Sequence, residues 1–309
     1  MDLDRLRTFA LAAEELNFTQ TARMLHLSQP AVSQQIRELE DSLGVALFER
    51  RGRGLALTPA GERLKPLATT LLKDAENLKE ALGEFRGVPQ GVLRIGAGTT
   101  LGIYLLPYAL GTFSRAFPAV RASLRIAETD GLLRAMRDGE IDLALVEEDL
   151  SPGRIFGWEK VPLLDDELVL IAAADHPWAS RGLVSLSELE GQAFIMRQPE
   201  SSARQLIQDR LAEAGFDPLR LAVRFELGHT EGIKRSVMAG LGLGFVSRYA
   251  IADELRAGTL VEVRIQDFGI GRTLWLIRPS EEKLPAHSQR FCDVLKGADW
   301  LPPHLRNLR

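Results

Sequence analysis

The sequence predicts three successive architectures: an N-terminal all-α helix-turn-helix closed by a basic hairpin, one long helix, and a two-lobed α/β region. Three observations carry that prediction. Residues 17–63 contain a helix, a tight turn and a second helix, followed by the arginine-rich stretch RRGRGLALTPAG. From Pro59 onward, apolar residues recur at alternating spacings of four and three. From Val92, strand and helix signals alternate almost to the C-terminus.

The first short helix is expected over Thr21–Leu25 with Thr19 as its N-cap, and Ala22 is small where a second helix must pass close by. His26-Leu27-Ser28 forms the turn; the residue after such a helix often needs a positive φ, and His is enriched there. Ser28 caps the second helix and Pro30 lies near its start, where a missing N–H costs nothing. Val32, Ile36, Leu39 and Leu43 form its buried stripe. Gln29, Ser33, Gln34 and Arg37 fall on other faces. Amides and guanidinium groups pair with base edges and hydroxyls with phosphate, so this end suits a major groove.

At these residues the chain resembles the LysR-type transcriptional regulators. The resemblance rests on Leu6-Arg7-Thr8-Phe9, Thr19 to Ala22, Leu27 to Ser33, Ile36, Leu39-Glu40, Leu43-Gly44, Leu47 to Arg50, and Leu57 to Gly61. It implies a winged helix-turn-helix, with Arg50, Arg51 and Arg53 on or beside the wing and within reach of phosphates or the minor groove. The implied DNA contacts are Thr19, Gln20, Ser28, Gln29, Pro30, Ala31, Ser33, Gln34 and Arg37. Looser matches continue at Leu106-Pro107, Phe117-Pro118, Gly139 to Ala144, His176-Pro177 and Ala239 to Gly244. These imply a two-lobed effector-binding domain resembling periplasmic binding proteins. Thr230-Glu231-Gly232-Ile233-Lys234 is similar to regulators of carbon fixation and of sulfur assimilation.

Charge is local rather than global. The formal net charge is −4, and residues 1–65 hold nine Lys/Arg against nine Asp/Glu. Basic side chains are therefore concentrated near the hairpin, which favours specific over bulk electrostatic binding. The 309 residues, 45% of them apolar, provide for two or three domains with real cores. One cysteine, Cys292, rules out an internal disulfide framework and fits a reducing cytoplasm. No long apolar span suggests a membrane anchor.

Thr58 as N-cap and Pro59 at the first position open the long helix. Leu64, Ala68, Leu71, Ala75, Leu78, Leu82 and Phe85 form a heptad seam expected to pair two copies of the chain. Pro66 is expected to kink the helix or delay its regular start. Gly87 to Gly91 breaks it. The expected organisation is DNA-binding over 1–58, a linker helix over 59–87, a hinge at 88–91 and an effector domain over 92–309. Within the last, lobe I spans about 92–162 and 268–309, and lobe II about 163–267.

Strands are expected at Val92–Gly96, Ala122–Ala127, Ile141–Val146, Glu167–Ala173, Ala193–Met196, Leu221–Glu226, Leu243–Val246 and Thr273–Arg278, in largely parallel sheets. Helices are expected near 101–116, 131–138, 202–214, 231–239 and 287–295. Two such lobes leave a cleft for a ligand. Thr99-Thr100 and Ser201-Ser202 each follow a strand and open a helix, so hydroxyls and free N–H groups converge where an anion is favoured. Thr129 and His229-Thr230 are further cleft candidates, with ordinary N-capping as the plain alternative for each. The expected ligand is a small anion or carboxylate held between two helix N-termini.

One departure qualifies this. Relatives carry an Arg-Glu-x-Gly-Ser-Gly-Thr-Arg type run where this chain has Arg197-Gln198-Pro199-Glu200-Ser201-Ser202-Ala203-Arg204. Glu200, and Glu147-Glu148 after the third strand, would repel an anion unless Arg197 or Arg204 offsets them, so a zwitterionic effector stays open.

Catalysis finds no support. The five histidines show no metal-ligand spacing, Cys292 has no nearby partner, and no G-x-S-x-G or phosphate-binding loop is present; no cofactor or metal is expected. The sequence therefore describes a homodimeric or homotetrameric regulator of double-stranded DNA. It would read a near-palindromic site, contact RNA polymerase and respond to a small metabolite. Two rivals stay open: a two-lobed binding protein without specific DNA affinity, and a DNA-binding regulator with a silent sensor.

Overall fold

A computed structural model describes residues 2–51, 54–84 and 91–306. The chain forms two compact units, one of residues up to Gln90 with Arg134–Ile141 and one of Gly91–Leu133 with the residues from Asp142 on; the expected hinge at 88–91 falls outside the described residues except for Gly91.

The N-terminal unit comprises α1 (Leu3–Glu15), α2 (Phe18–Met24), α3 (Gln29–Leu43), β1 (Phe48–Arg51), β2 (Gly54–Leu57) and α4 (Pro59–Glu84). Leu6, Phe9, Ala22, Val32, Ile36 and Leu39 form its core. Phe48 from the hairpin meets Phe9 and Phe18 edge-on at 5.7 and 5.2 Å. Strands β1 and β2 pair antiparallel as a wing, with Arg50 opposite Leu55. Glu40 near the end of α3 accepts hydrogen bonds from the N–H groups of Leu47 (2.7 Å) and Phe48 (3.2 Å), tying helix to wing.

Several expectations need correction here. The N-cap of α2 is Asn17, whose carboxamide oxygen accepts from the N–H groups of Thr19 (2.9 Å) and Gln20 (3.1 Å). The helix begins at Phe18, which puts Thr19 inside its first turn. Leu43 is exposed, because the last turn of α3 runs past the core before Gly44 ends it at φ 70°. Despite Pro66, α4 starts at Pro59 without delay and runs as one helix; the Thr58 hydroxyl caps it by accepting from Gly61 N–H at 3.1 Å. The seam on α4 divides. Ala68 is buried in the unit's own core and Leu64 packs against it, together with Leu72. Leu71 and Leu78 are exposed, as is Leu67, while Ala75 is half-buried. The Leu82 side chain and Phe85 lie outside what is described.

The second unit is built on one ten-stranded sheet. In chain order its elements are β3 (Gly91–Ala97), α5 (Leu106–Ala116), β4 (Val120–Ile126), α6 (Thr129–Arg137), β5 (Leu143–Val146), β6 (Glu159–Ala173), α7 (Pro177–Arg181), β7 (Leu183–Val184), β8 (Ala193–Arg197), α8 (Ser202–Glu213), β9 (Ala222–Leu227), α9 (Thr230–Met238), β10 (Leu243–Ser247), α10 (Ala252–Ala257), β11 (Leu260–Ile265), β12 (Ile270–Arg278), α11 (Ala286–Lys296) and α12 (Pro303–Arg306). A π-helical turn at Leu101–Leu105 leads into α5.

The strand order is β4-β3-β5-β12-β6-β10-β8-β9, with β11 pairing β6 and β7. Two parallel trios, β4-β3-β5 and β10-β8-β9, flank the antiparallel strands β12 and β6. The expectation of largely parallel sheets thus holds within each trio and fails where they join. Strand β6 also begins eight residues before the expected Glu167. Pro162 and the adjacent Asp165-Asp166 hide its first half, which exists because β12 pairs with it across a register shift at Leu274/Trp275. One core gathers around Leu93, Ile95, Phe113 and Phe291. A second gathers around Phe194, Leu211, Phe245 and Val263, so the single sheet carries two lobes.

Candidate functional site

The carboxyl ends of both parallel trios face one cleft, the usual place for a ligand in an open α/β sheet. It is narrow, with about 20 Å³ of free volume, and is lined by Thr99, Thr100, Glu128 and Glu147 from one lobe, and by Arg197, Ser201, Ser202, Ala203, Thr230 and Ser247 from the other. Arg272 completes the lining from β12. Six of the eight predicted residues therefore converge: Thr99, Thr100, Arg197, Ser201, Ser202 and Thr230. Thr129 is buried in α6 and His229 is exposed before α9, and neither lines the cleft. Ser247 and Arg272 carry no local sequence signal. Glu200 is exposed outside the cleft, so the doubt it raised passes to Glu147 and Glu128.

The two lobes offer different chemistry. At the first, the Glu147 carboxylate already occupies the helix end, accepting from Thr100 N–H (2.8 Å) and Leu101 N–H (3.3 Å). Gly98 makes room for it: a Cβ there would lie 1.9 Å from Glu147 Oε2. Burial pushes the Glu147 carboxyl above the ordinary carboxylate range, and nearby Glu128 adds to this, while Arg272 and the two N–H groups oppose it. Arg272 also donates to the Thr100 hydroxyl (3.1 Å) and to Asp166 (2.8 Å), so Thr100 is engaged within the protein.

At the second lobe the groups are less committed. Ser201 is buried, and its side chain makes no capping bond to the 12-residue helix α8. Arg197 is 9% exposed and donates across the cleft to Glu128 at 2.7 Å, but its buried Nε has no hydrogen-bond partner. Arg204 is turned to structural work, donating to the Arg197 carbonyl (2.8 Å) and to Glu226 (2.6 Å). Elsewhere the lobes are tied by the motif around Glu231: Tyr104 donates to Glu231 at 2.7 Å, and Lys234 bridges Glu231 and Glu254 at 2.8 Å each.

In the N-terminal unit, Gln29, Pro30, Gln34 and Arg37 are exposed on α3, with Ala31 and Ser33 half-buried. Gln29 donates to Ser33 (2.8 Å) and Gln34 to Glu38 (3.0 Å). Ser28 caps α3 by accepting from Ala31 N–H, and His26 holds the turn at φ 54°. Thr19, Gln20 and Arg50 are exposed; the Arg51 side chain and Arg53 lie outside what is described. Among the described residues no cluster of three or more His, Cys, Asp or Glu has metal-site geometry, and no helix is long and apolar enough to cross a membrane.

A winged helix-turn-helix joined in one chain to a two-lobed ligand-binding fold defines a DNA-binding transcriptional regulator with its own effector domain. Residues 3–62 match the bacterial regulatory helix-turn-helix protein, lysR family, and residues 86–300 match the LysR substrate binding domain. The chain belongs to the LysR family. It is 35% identical over 302 residues to a probable RuBisCO transcriptional regulator of Trichormus variabilis, covering 96% of this chain and 90% of that protein. Full-length OxyR from Pseudomonas aeruginosa, a cysteine-to-aspartate variant, superimposes with a TM-score of 0.75 at 25% identity, over 98% of this chain and 97% of that one. The regulatory domain of Synechocystis CcmR, solved in complex with 2-PG, gives a TM-score of 0.60 at 30% identity, over 67% of this chain and 96% of that one.

Proposed function

We propose that this regulator switches transcription in response to a small anion held in the interlobe cleft, chiefly by its second lobe. The observation that carries this reading is Arg197: a nearly buried guanidinium with an unpartnered Nε, beside the uncapped start of α8 and the hydroxyls of Ser201 and Ser202. Thr230 and Ser247 supply further hydroxyls. Relatives named for RuBisCO regulation and a neighbour solved with 2-PG support a phosphorylated carboxylate as the first compound to try. With 2-phosphoglycolate at 100 times its dissociation constant, thermal or urea unfolding should show about 2.7 kcal/mol of added stability. Ser201→Ala/Ser202→Ala should remove it; undiminished stabilisation in that variant would refute the site.

On the DNA side, α3 enters the major groove with Gln29, Ser33 and Arg37 on its outer face, while Thr19, Gln20 and the wing arginines reach phosphates. Two copies read a near-palindromic site with half-site centres about 34–36 Å apart or a multiple of that. Leu67, Leu71 and Leu78 of α4 supply exposed apolar surface for pairing copies. The DNA-bound oligomer contacts RNA polymerase in the cytoplasm. Gln29→Ala should weaken specific binding by about 1–3 kcal/mol, and Arg50→Ala on the wing should reduce the salt slope by about 1. Equal loss of specific and non-specific binding in Gln29→Ala would exclude base reading by that residue.

A further inference from the structure

Glu147 sits at the helix end that follows Thr99-Thr100, on the lining of the cleft. Its carboxylate takes the N–H groups of Thr100 and Leu101, fits into the space left by Gly98, and lines the same cleft as Arg197, Ser201 and Ser202. A ligand anion entering there meets a second anion fixed to the protein. We infer that Glu147 shares one proton with the bound anion: the cleft takes the anion together with one proton, which a deprotonated effector draws from solvent wherever Glu147 is itself ionised. This rests on the reading of the cleft as an anion site.

Two negative oxygens held side by side repel unless a proton bridges them, as in paired-carboxylate sites. The groups facing Glu147 do not remove this conflict. Arg272 from β12 is already paired with Asp166 of β6, and Arg197 from β8 with Glu128. A wider space, also lined by Glu147 and Arg272, carries Glu148, Asp149 and Asp166, paired with Arg154, Lys160 and Arg272, together with Asp165, Asp209 and Arg210. Burial favours the neutral form of Glu147 even before a ligand arrives.

Sulfate is the chosen probe, because it carries no proton to donate near neutral pH. Its binding to the full-length protein is measured by calorimetry between pH 6 and 9, in buffers of different ionisation enthalpy. Above the raised pKa of Glu147, affinity should fall about tenfold per pH unit, with about one proton taken up per sulfate. Glu147→Gln keeps the shape and a carbonyl acceptor for the helix N–H groups, and should bind sulfate with no proton uptake and a flat pH profile. Gly98→Ala, whose Cβ displaces the carboxylate, should behave likewise and covers the case in which Glu147→Gln misfolds. Ser202→Ala should lose affinity while keeping the proton count.

The outcomes separate the two readings. Sulfate binding to the wild type with a flat pH profile and no proton uptake anywhere between pH 6 and 9 overturns the role of Glu147 and leaves the anion cleft standing. Uptake that persists in both Glu147→Gln and Gly98→Ala has the same effect. No sulfate binding in any variant at any pH overturns the anion cleft, and this inference with it.

Discussion

Replacing Glu40 by alanine tests how α3 is held against the wing. Glu40 Oε1 accepts from Leu47 N–H at 2.7 Å and Phe48 N–H at 3.2 Å, both at the point where the chain turns from α3 into β1. Leu47 is buried and Phe48 contacts Phe9 and Phe18, so water cannot easily replace the lost acceptor. Hydrogen bonds to a charged group contribute about 1.5–3 kcal/mol each. The carboxylate is partly solvated and the two bonds share one oxygen, so the pair should be worth roughly 2–4 kcal/mol. Against a domain stability of about 5–15 kcal/mol, that is a large fraction. The chain carries its own internal reference: Trp158, Trp178, Trp275 and Trp300 all lie in the second unit. Urea unfolding followed by far-UV circular dichroism should show an early transition in Glu40→Ala, while the tryptophan fluorescence transition stays where it was. Glu40→Gln, which keeps one acceptor, should lie between. A shift below about 0.5 kcal/mol in Glu40→Ala, the range of a neutral surface change, would refute the argument.

Asn17→Ala should destabilise the N-terminal unit by about 0.5–2 kcal/mol in the same circular dichroism assay, whereas Thr19→Ala should fall within about 0.5 kcal/mol. The reverse order would restore Thr19 as the cap. Burial pushes the Cys292 thiol up to about 11, so at neutral pH it is a neutral thiol and should react with a thiol-specific dye only on the timescale of unfolding. Rapid labelling of the native protein would contradict its placement. The carboxyl of Glu147 is raised in the folded state, so the folded chain holds more protons than the unfolded one. Its stabilising contribution is complete below the ordinary carboxylate range and is lost as pH rises through the raised value. Relative to Glu147→Gln, the wild type should therefore lose stability with rising pH, read from the fluorescence transition; a constant difference would count against a raised Glu147 carboxyl.

What the sequence revealed follows the range of the forces involved. The helix-turn-helix was readable because its signals are local: the Ser28 cap, the Pro30 start, the positive φ at His26 and the Val32-Ile36-Leu39 stripe all act within a few residues. Asn17 and Thr19 are hard to tell apart as caps, because two capping residues two apart differ only in where the first turn begins. The hydroxyl-bearing loops of the cleft were also local, each a strand end followed by a helix. Arg272 and Ser247 reach the cleft through strand pairing over long sequence distances, and no spacing rule marks them. Glu147 was visible as an unwanted charge. Its accommodation was not, because that depends on Gly98 approaching it from another strand end. The first half of β6 is likewise set by its partner β12 against the preference of its own residues.

Strand β6 also decides what kind of machine the second unit is. Its fifteen residues, roughly 50 Å of chain, pair with β12 along one half and with β10 and β11 along the other. Pulling the lobes straight apart would break ladder hydrogen bonds, whereas wringing the sheet only changes its twist. The unit is thus two plates on a torsion bar rather than jaws on a pin. Leverage then favours the rim: β4 lies four strands from β6, about 19 Å at usual strand spacing, so a wring of about 5° displaces it by roughly 1.7 Å. A rotation too small to open the cleft would thereby be felt most at the outermost strand.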